Sequence, residues 1–474
     1  MKNMEGIKMK HKFHILDSVW TQINGETAQL INNHLSFQRK IYTGGRRDKG
    51  AKFDFETVRM IDSYGEDKYL FPTGLLNRAI LAIGDFNEEY EVTGNCDPIE
   101  FDEPHLENVV FRDYQKKLIN AGLTYGRGVL KAPTATGKSI IILGIISAFS
   151  QENILFLCHT KDLVIQMKEH LEKNGFTDIG EWTGNAKEIK RITVATIQSY
   201  AKVCKKYAYH WNVIIIDEGH HVSTIGGQYA EALTYSAAPV KLAVTATMPY
   251  IPEAKMALEA FIGPIIGEYT IKEANEDGFL AVPKIKIIKV PDVPDHILMN
   301  KSDFTGKKEP ELYPLVYWNG IVKNVNRNLR ILQEAYALQK EGKSVLISLI
   351  RKEHGSILMD LIKDHYKFKA YFVHGVTLDR NSILKEFRDK TIKVVIATVV
   401  FNEGVDIPNL DCCINASGGR TEIGTLQKIG RGLRKTKDKS SVLIIDFHDT
   451  CHPMLENQFK ERMKMYVKNG WVSK

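Results

Sequence analysis

Lys138 and Ser139 end the stretch Lys131–Ser139, Lys-Ala-Pro-Thr-Ala-Thr-Gly-Lys-Ser, and an apolar run from Ile140 to Ile146 follows at once. The core Ala132-x-x-x-x-Gly137-Lys138-Ser139 has the spacing of a phosphate-binding loop, with alanine at the place usually held by the first glycine. Small residues let successive backbone N–H groups turn into one cavity, and the N-terminus of the following helix adds more donors. Thr134, Ala135, Thr136 and Gly137 are therefore the expected phosphate cradle. Lys138 can reach the outer phosphates of a nucleotide, and Ser139 can hold Mg2+. A second pair, Asp217-Glu218, follows the apolar residues Val213–Ile216. An aspartate at the end of a buried strand can hold the same metal, and an adjacent glutamate can orient or deprotonate the attacking water. Together these residues have the means to hydrolyse ATP with Mg2+. Nearby, His220 is expected to bond to Thr245 or Gln427, and His221 to be a surface neighbour.

Three further segments belong to the same chemistry. Phe111-Arg112-Asp113-Tyr114-Gln115 precedes the phosphate loop and opens a helix. The Gln115 amide can both donate to and accept from an adenine edge, with the aromatics or Arg112 flanking the ring. Thr398–Pro408 carries Glu403, Gly404 and Asp406 after a buried strand; Gly404 allows a tight turn, and Asp406 can sense the ribose or a facing arginine. Thr425–Arg434 places Arg431 and Arg434 three apart, on one face if the helix continues there. A planar, permanently charged guanidinium suits the spreading charge of phosphoryl transfer.

These residues need strand ends to present them. Short apolar strands are expected at Val129–Leu130, Ile154–Cys158, Ile192–Thr196, Val213–Ile216 and Lys241–Val244, with helical stretches between, which means a parallel α/β sheet. Ligand-binding groups then fall at the carboxyl ends of the strands. Glu253–Ile262 reads as a helix and Ile266–Ala281 as a crossover. The alternation restarts with a strand at Ala281–Val290 and continues to Val442–Asp446, with an irregular excursion at Pro291–Gly320 and a tail helix at Phe459–Val467. Residues 1–108 read as a separate small α/β domain: strands at His14–Trp20, Arg39–Tyr42, Ala51–Ile61 and Tyr69–Leu70, then a helix at Leu75–Tyr90. The expected plan is α/β, with a small accessory domain at 1–108, an ATP-binding domain at 109–270, and a second parallel α/β domain with a tail helix at 271–474.

Composition bounds the partners. The 474 residues carry a formal net charge of +7, mild for this length, so a polyanion would meet a local surface rather than the whole protein. Arg39, Lys40, Arg46, Arg47, Lys49 and Lys52 bracket Gly44-Gly45 and Gly50, a basic loop that could touch a nucleic-acid backbone. The six scattered cysteines show no metal spacing and fit a reducing, cytoplasmic setting. There is no secretory signal, and Ile140–Phe149 is too short to cross a bilayer.

In order and spacing, these segments resemble those of a superfamily 2 helicase over about residues 110–450. Gln115 matches the adenine-reading glutamine and Ala132–Ser139 motif I. Phe156–Gln166, with His159-Thr160, falls at motif Ia, and Val194–Ser199 at motif Ib. Asp217–His220 is motif II, with Gly219 for the common alanine. Thr245-Ala246-Thr247 is motif III, Thr398–Pro408 motif V and Gln427–Arg434 motif VI. The resemblance implies two RecA-like domains closing over ATP and gripping one nucleic-acid strand, with Glu218, Lys138, Arg431, Arg434 and Gln427 catalytic. The Asp-Glu-x-His form and the Phe-Arg-Asp-Tyr-Gln opening are closest in kind to phage recombination helicases of the UvsW type, restriction-enzyme motors and excision-repair helicases. That implies a 3′–5′ DNA helicase remodelling forked or four-way DNA, as a monomer, beside other recombination or replication proteins, in the host cytoplasm if viral. A double-strand translocase without strand separation, or an RNA helicase, are the alternatives. Thr160, Thr196 and Thr398 are the expected phosphate contacts on the strand track.

Overall fold

The computed structural model describes residues 10–44, 52–86, 88–95, 99–249, 251–290, 309–398, 407, 409–419 and 441–472. The chain divides into two units, one formed chiefly by residues up to 269 and the other chiefly by residues from 270 onward.

The first unit opens with β1 (Lys10–Ile15), β2 (Trp20–Ile23), α1 (Gly25–Ile31), β3 (Ser36–Gly44), β4 (Lys52–Arg59), β5 (Asp62–Gly65), β6 (Lys68–Pro72), α2 (Leu76–Asp85) and β7 (Glu89–Thr93). Five of these strands form a mixed sheet in the order β5-β6-β2-β1-β7, and β3 pairs with β4 in a ribbon of its own. The expected single strand at His14–Trp20 is instead split by a turn. Asp17 Oδ1 accepts from the backbone N–H groups of Val19 and Trp20 at 2.6 and 2.8 Å, an Asx turn that reverses the chain. The expected helix at Leu75–Tyr90 ends at Asp85, and Glu89–Thr93 pairs with β1. Helix α1 was not anticipated; Asn24 caps it by accepting from Thr27 N–H at 3.0 Å.

The motor sheet follows: α3 (Asp113–Tyr125), β8 (Arg127–Lys131), α4 (Lys138–Ala148), β9 (Ile154–Cys158), α5 (Lys161–Lys173), β10 (Ile179–Trp182), β11 (Ile192–Thr196), α6 (Ile197–Tyr200), β12 (Val213–Asp217), α7 (Gln228–Thr234), β13 (Val240–Thr245), α8 (Pro252–Phe261) and β14 (Ile265–Glu268). All seven strands run parallel in the order β10-β11-β9-β12-β13-β8-β14. The central strands are buried on both faces, which explains their unbroken Val/Ile/Leu runs. The stretch expected as a plain crossover, Ile266–Ala281, begins with the edge strand β14, which pairs with β8.

The amino-terminal residues share a core with this sheet, against the expectation of a separate domain. Phe13, Phe71, Ala79 and Ile83 pack in one buried cluster with Met256 and Ala260 of α8. A Cβ at Gly74 would collide with the carbonyls of Glu259 and Ala260, so the chain crosses α8 where only glycine fits. Arg78 Nε donates to both carboxylate oxygens of Glu259, at 3.2 and 3.1 Å. Lys241, in the middle of the motor sheet and 1% exposed, donates from Nζ to Leu233 O at 3.3 Å and Ser18 O at 3.5 Å. Gly74→Ala is therefore expected to destabilise the motor sheet as well, by about 1–3 kcal/mol. Hydrogen exchange checks this: β2 and β13 amides should lose protection together. Loss confined to β2 would mean that the two sheets unfold independently.

In the second unit α9 (Ile271–Glu276) leads to β15 (Val282–Val290), α10 (Glu309–Tyr317), α11 (Val325–Lys340), β16 (Val345–Ser348), α12 (Lys352–Leu361), β17 (Tyr371–Val373), α13 (Arg380–Arg388), β18 (Val394–Ala397), β19 (Cys412–Asn415), β20 (Ser441–Asp449) and α14 (Pro453–Lys468). Six parallel strands follow the order β15-β20-β19-β16-β18-β17. The described end of the expected excursion is helical, α10 running into a π-turn at Trp318–Val322. The tail helix α14 is locked to the sheet: Arg462 Nε donates to Asp446 Oδ2 at 2.8 Å, and the Tyr466 hydroxyl donates to the same oxygen at 2.8 Å. No described helix is long and apolar enough to cross a membrane.

Candidate active site

The phosphate loop joins β8 to α4. Ala132 N–H donates to Thr245 O at 3.0 Å, tying the start of the loop to the end of the neighbouring strand β13. Ala135 and Gly137 both take left-handed backbone angles, φ 68° and 83°. Thr136 is buried and its hydroxyl donates to Pro133 O at 2.7 Å, closing the turn internally. Thr134, Lys138 and Ser139 stay partly accessible. Gly137 caps α4 without a side-chain acceptor; Ile140 N–H donates to Gly137 O at 3.0 Å, which leaves the N–H groups of Lys138 and Ser139 to meet an anion.

Two strands away, β12 delivers Asp217 and Glu218. Glu218 sits at φ 49°, a left-handed angle for a residue with a side chain, and starts the 3-10 turn Gly219–His221. Such strain persists only where the surroundings hold it. Here Asp217 Oδ1 accepts from Glu218 N–H at 2.9 Å, and Glu218 Oε1 accepts from Lys138 Nζ at 3.2 Å. Glu218 Oε2 is buried and accepts no hydrogen bond among the described residues; His220 Nδ1 lies 3.4 Å from it. His220 Nδ1 is also 3.2 Å from Thr245 Oγ1, one of its two expected partners.

The two carboxylates are pushed apart in acidity. Burial works against the charged form of Glu218, but the Lys138 ammonium and His220 outweigh it and hold the acid below the usual carboxylate range. Burial and the charge of Glu218 push Asp217 up to about 6, against the pull of Lys138. Asp217 can ligate a metal only when ionised, so the proton and Mg2+ compete there. Apparent Mg2+ affinity should be flat above a pH of about 6 and fall about tenfold per unit below it. Mg2+ titration of ATP turnover across that range checks the sign; an affinity unchanged down to a pH of about 5 would show that Asp217 titrates lower.

Asp217 and Ser139 fit Mg2+ as it is usually bound, through one carboxylate and the substrate phosphates. Bound Mg2+ would supply positive charge to the transferring phosphoryl group. Among the described residues no cluster of three or more His, Cys, Asp or Glu could hold a metal without such a substrate.

The residues expected to read adenine differ in detail from expectation. Gln115 is buried and its Oε1 accepts from Arg112 N–H at 3.0 Å in a capping box. Its acceptor is therefore committed, while Nε2 would lie 2.9 Å from a Cβ at Gly137 and so borders the phosphate loop. Tyr114 does not offer a face to a base: it stacks on Tyr269 with centroids 3.9 Å apart and planes 3° from parallel. Arg112 is exposed, and its Nη1 donates to the Tyr114 hydroxyl at 3.1 Å. Of the track threonines, Thr160 caps α5 by accepting from Leu163 N–H at 3.4 Å, and Thr196 donates to Ser199 Oγ at 3.0 Å. Thr398 is buried after β18. Gly404, Asp406, Gln427, Arg431 and Arg434 lie outside the described residues, as do Arg46, Arg47 and Lys49. Arg39 pairs with Glu56 at 2.8 Å.

His221 corrects the reading as a surface neighbour. It is partly buried and lies in tilted contact with His159 at 4.1 Å and with His220 at 4.4 Å between ring centroids. Only the repeated His-His in the sequence hinted at this, because His159 lies far away along the chain.

Residues 108–250 match the family described as type III restriction enzyme, res subunit. Residues 327–436 match the helicase conserved C-terminal domain. This chain belongs to the superfamily 2 helicases. The DNA 3′-5′ translocase XPB2 of Sulfurisphaera tokodaii is 28% identical over 364 residues, covering 71% of this chain and 81% of that protein. The ATP-dependent DNA helicase uvsW of Enterobacteria phage T4 is 26% identical over 368 residues, covering 74% and 69%. The superfamily 2 fold is shared with Saccharomyces cerevisiae Dbp5 bound to RNA and ADP BeF3, at TM-score 0.51 and 16% identity, covering 76% of this chain and 88% of that one. Across curated relatives the match spans from 51% to 81% of their own length.

Proposed function

We propose that this superfamily 2 helicase is a DNA motor that hydrolyses ATP with Mg2+ and remodels branched DNA, moving 3′ to 5′. The observation that carries the hydrolytic part is the Lys138–Glu218 pair, with Asp217 beside it, at the ends of parallel strands. Lys138 would turn from Glu218 to the outer phosphates of ATP. Glu218, freed from the cation that depresses its basicity, would become a stronger base for the attacking water. Asp217 and Ser139 would hold Mg2+, and Arg431 and Arg434 would stabilise the developing charge from the second motor domain. Gln427 would join them, Gly404 and Asp406 would sense the nucleotide, and Arg112 and Gln115 would take the base. DNA is favoured as the track because relatives over more than two thirds of the chain are named DNA translocases and helicases.

A double-strand translocase without strand separation is the second reading, since the first of those relatives is named a translocase. A mobile four-way junction, a tailed duplex and their RNA counterparts separate the readings. Branch movement with unwinding of the tailed DNA supports a remodelling helicase. ATP consumption on intact duplex with neither product supports the translocase, and unwinding of RNA alone overturns the DNA assignment.

A further inference from the structure

We propose that His159 and His221 are positioning residues, a pair of rings in tilted contact through which the strand-end loops set the orientation of Glu218. The proposal rests on the motor reading above and adds to it how track occupancy reaches the hydrolytic carboxylate.

The contacts form one continuous path within the first unit. Gln198, in α6, donates from Nε2 to the backbone carbonyl of His159 at 3.1 Å. His159 is followed directly by Thr160, the cap of α5, so both proposed track loops are tied to this residue. The His159 ring lies 4.1 Å from that of His221, with the planes 35° apart. His221 in turn lies 4.4 Å from His220, at 32°. His220 reaches Thr245 Oγ1 at 3.2 Å and Glu218 Oε2 at 3.4 Å. The Gly219–His221 turn that carries two of these rings starts at Glu218, whose backbone is strained. Flat rings in contact pass on rotation and displacement because neither can move into its neighbour. A shift of the Thr160 or Gln198 loop therefore has to be taken up by the turn that aims Glu218. His159 acts through His221, and His221 through its contact with His220.

The test measures ATP turnover with and without single-stranded DNA, and strand affinity, for wild type, His159→Ala, His221→Ala, His159→Phe, His221→Phe and the double alanine variant. In both alanine variants strand-free turnover and strand affinity should stay within about twofold of wild type, while stimulation by the strand falls by about fivefold or more. The phenylalanine variants, which restore a flat ring, should recover most of the stimulation. The double variant should lose no more than either single one, as expected for members of one path. Wild-type stimulation in both alanine variants overturns the proposal. So does an equal fall in strand-free and stimulated turnover, which would make the rings part of the fold or of the hydrolytic site itself. A wild type that hydrolyses ATP without any response to the strand overturns the motor reading and this proposal together.

Discussion

Glu218→Gln is expected to lower ATP turnover by about a hundredfold to ten-thousandfold while nucleotide still binds. An amide of the same shape cannot take a proton from water, so the chemical step loses its base. Binding should be preserved or modestly tightened. In the wild-type protein Glu218 Oε1 competes with phosphate for Lys138 Nζ, which it meets at 3.2 Å, and the amide removes that competitor. Equilibrium binding of a labelled nucleotide and single-turnover hydrolysis separate the two effects. Ordinary turnover in this variant would take Glu218 out of the catalytic role.

Lys138→Ala should be comparably severe, by about a hundredfold to a thousandfold in turnover, for two reasons that act together. The outer phosphates lose their cation, and Glu218 is left as a buried carboxylate whose main counter-charge is gone. Burial then pushes its pKa upward, so the group is more often protonated and less often available as a base. The sign of the pH response distinguishes the causes: residual turnover should recover as pH rises through the new Glu218 range. Residual activity indifferent to pH would leave phosphate binding as the whole of the lysine's role. Combining the two substitutions should cost far less than the product of the single losses, because the side chains act as a unit.

Much of this site was legible before any coordinates. The run Val213–Ile216 ends in two carboxylates, and only a buried parallel strand with a functional carboxyl end makes sense of that pattern. The phosphate loop was equally clear, because small residues, Lys138 and Ser139 each have a separate physical reason to be there. The repeated alternation after Ala281 marked a second sheet for the same reason, and six parallel strands form there. What could not be read were contacts between residues distant in the chain. The commitment of Gln115 Oε1 to a cap, the Tyr114–Tyr269 stack and the His159–His221 contact depend on where helices and strand ends meet. Local pattern carries no record of that.

The amino-terminal segment shows the same limit from the other side. Its own succession of strands and a helix reads as an independent domain. Yet Gly74 lies against α8, and Ser18 O takes a hydrogen bond from Lys241 of β13. A lysine near the start of an otherwise apolar strand, Val240–Thr245, is the sequence feature that asks for a partner from elsewhere. Branched-DNA binding is therefore better probed by point substitution of Arg46, Arg47 and Lys49 than by removing the segment.

The central claim is that Lys138, Asp217 and Glu218 drive a motor along a DNA strand. Steady-state ATP turnover with Mg2+, measured on the intact protein with and without single-stranded DNA and with matched RNA, tests it most directly. The account predicts turnover that rises with DNA, depends on Mg2+ and collapses in Glu218→Gln. Turnover that ignores DNA, or that survives in Glu218→Gln, would contradict it.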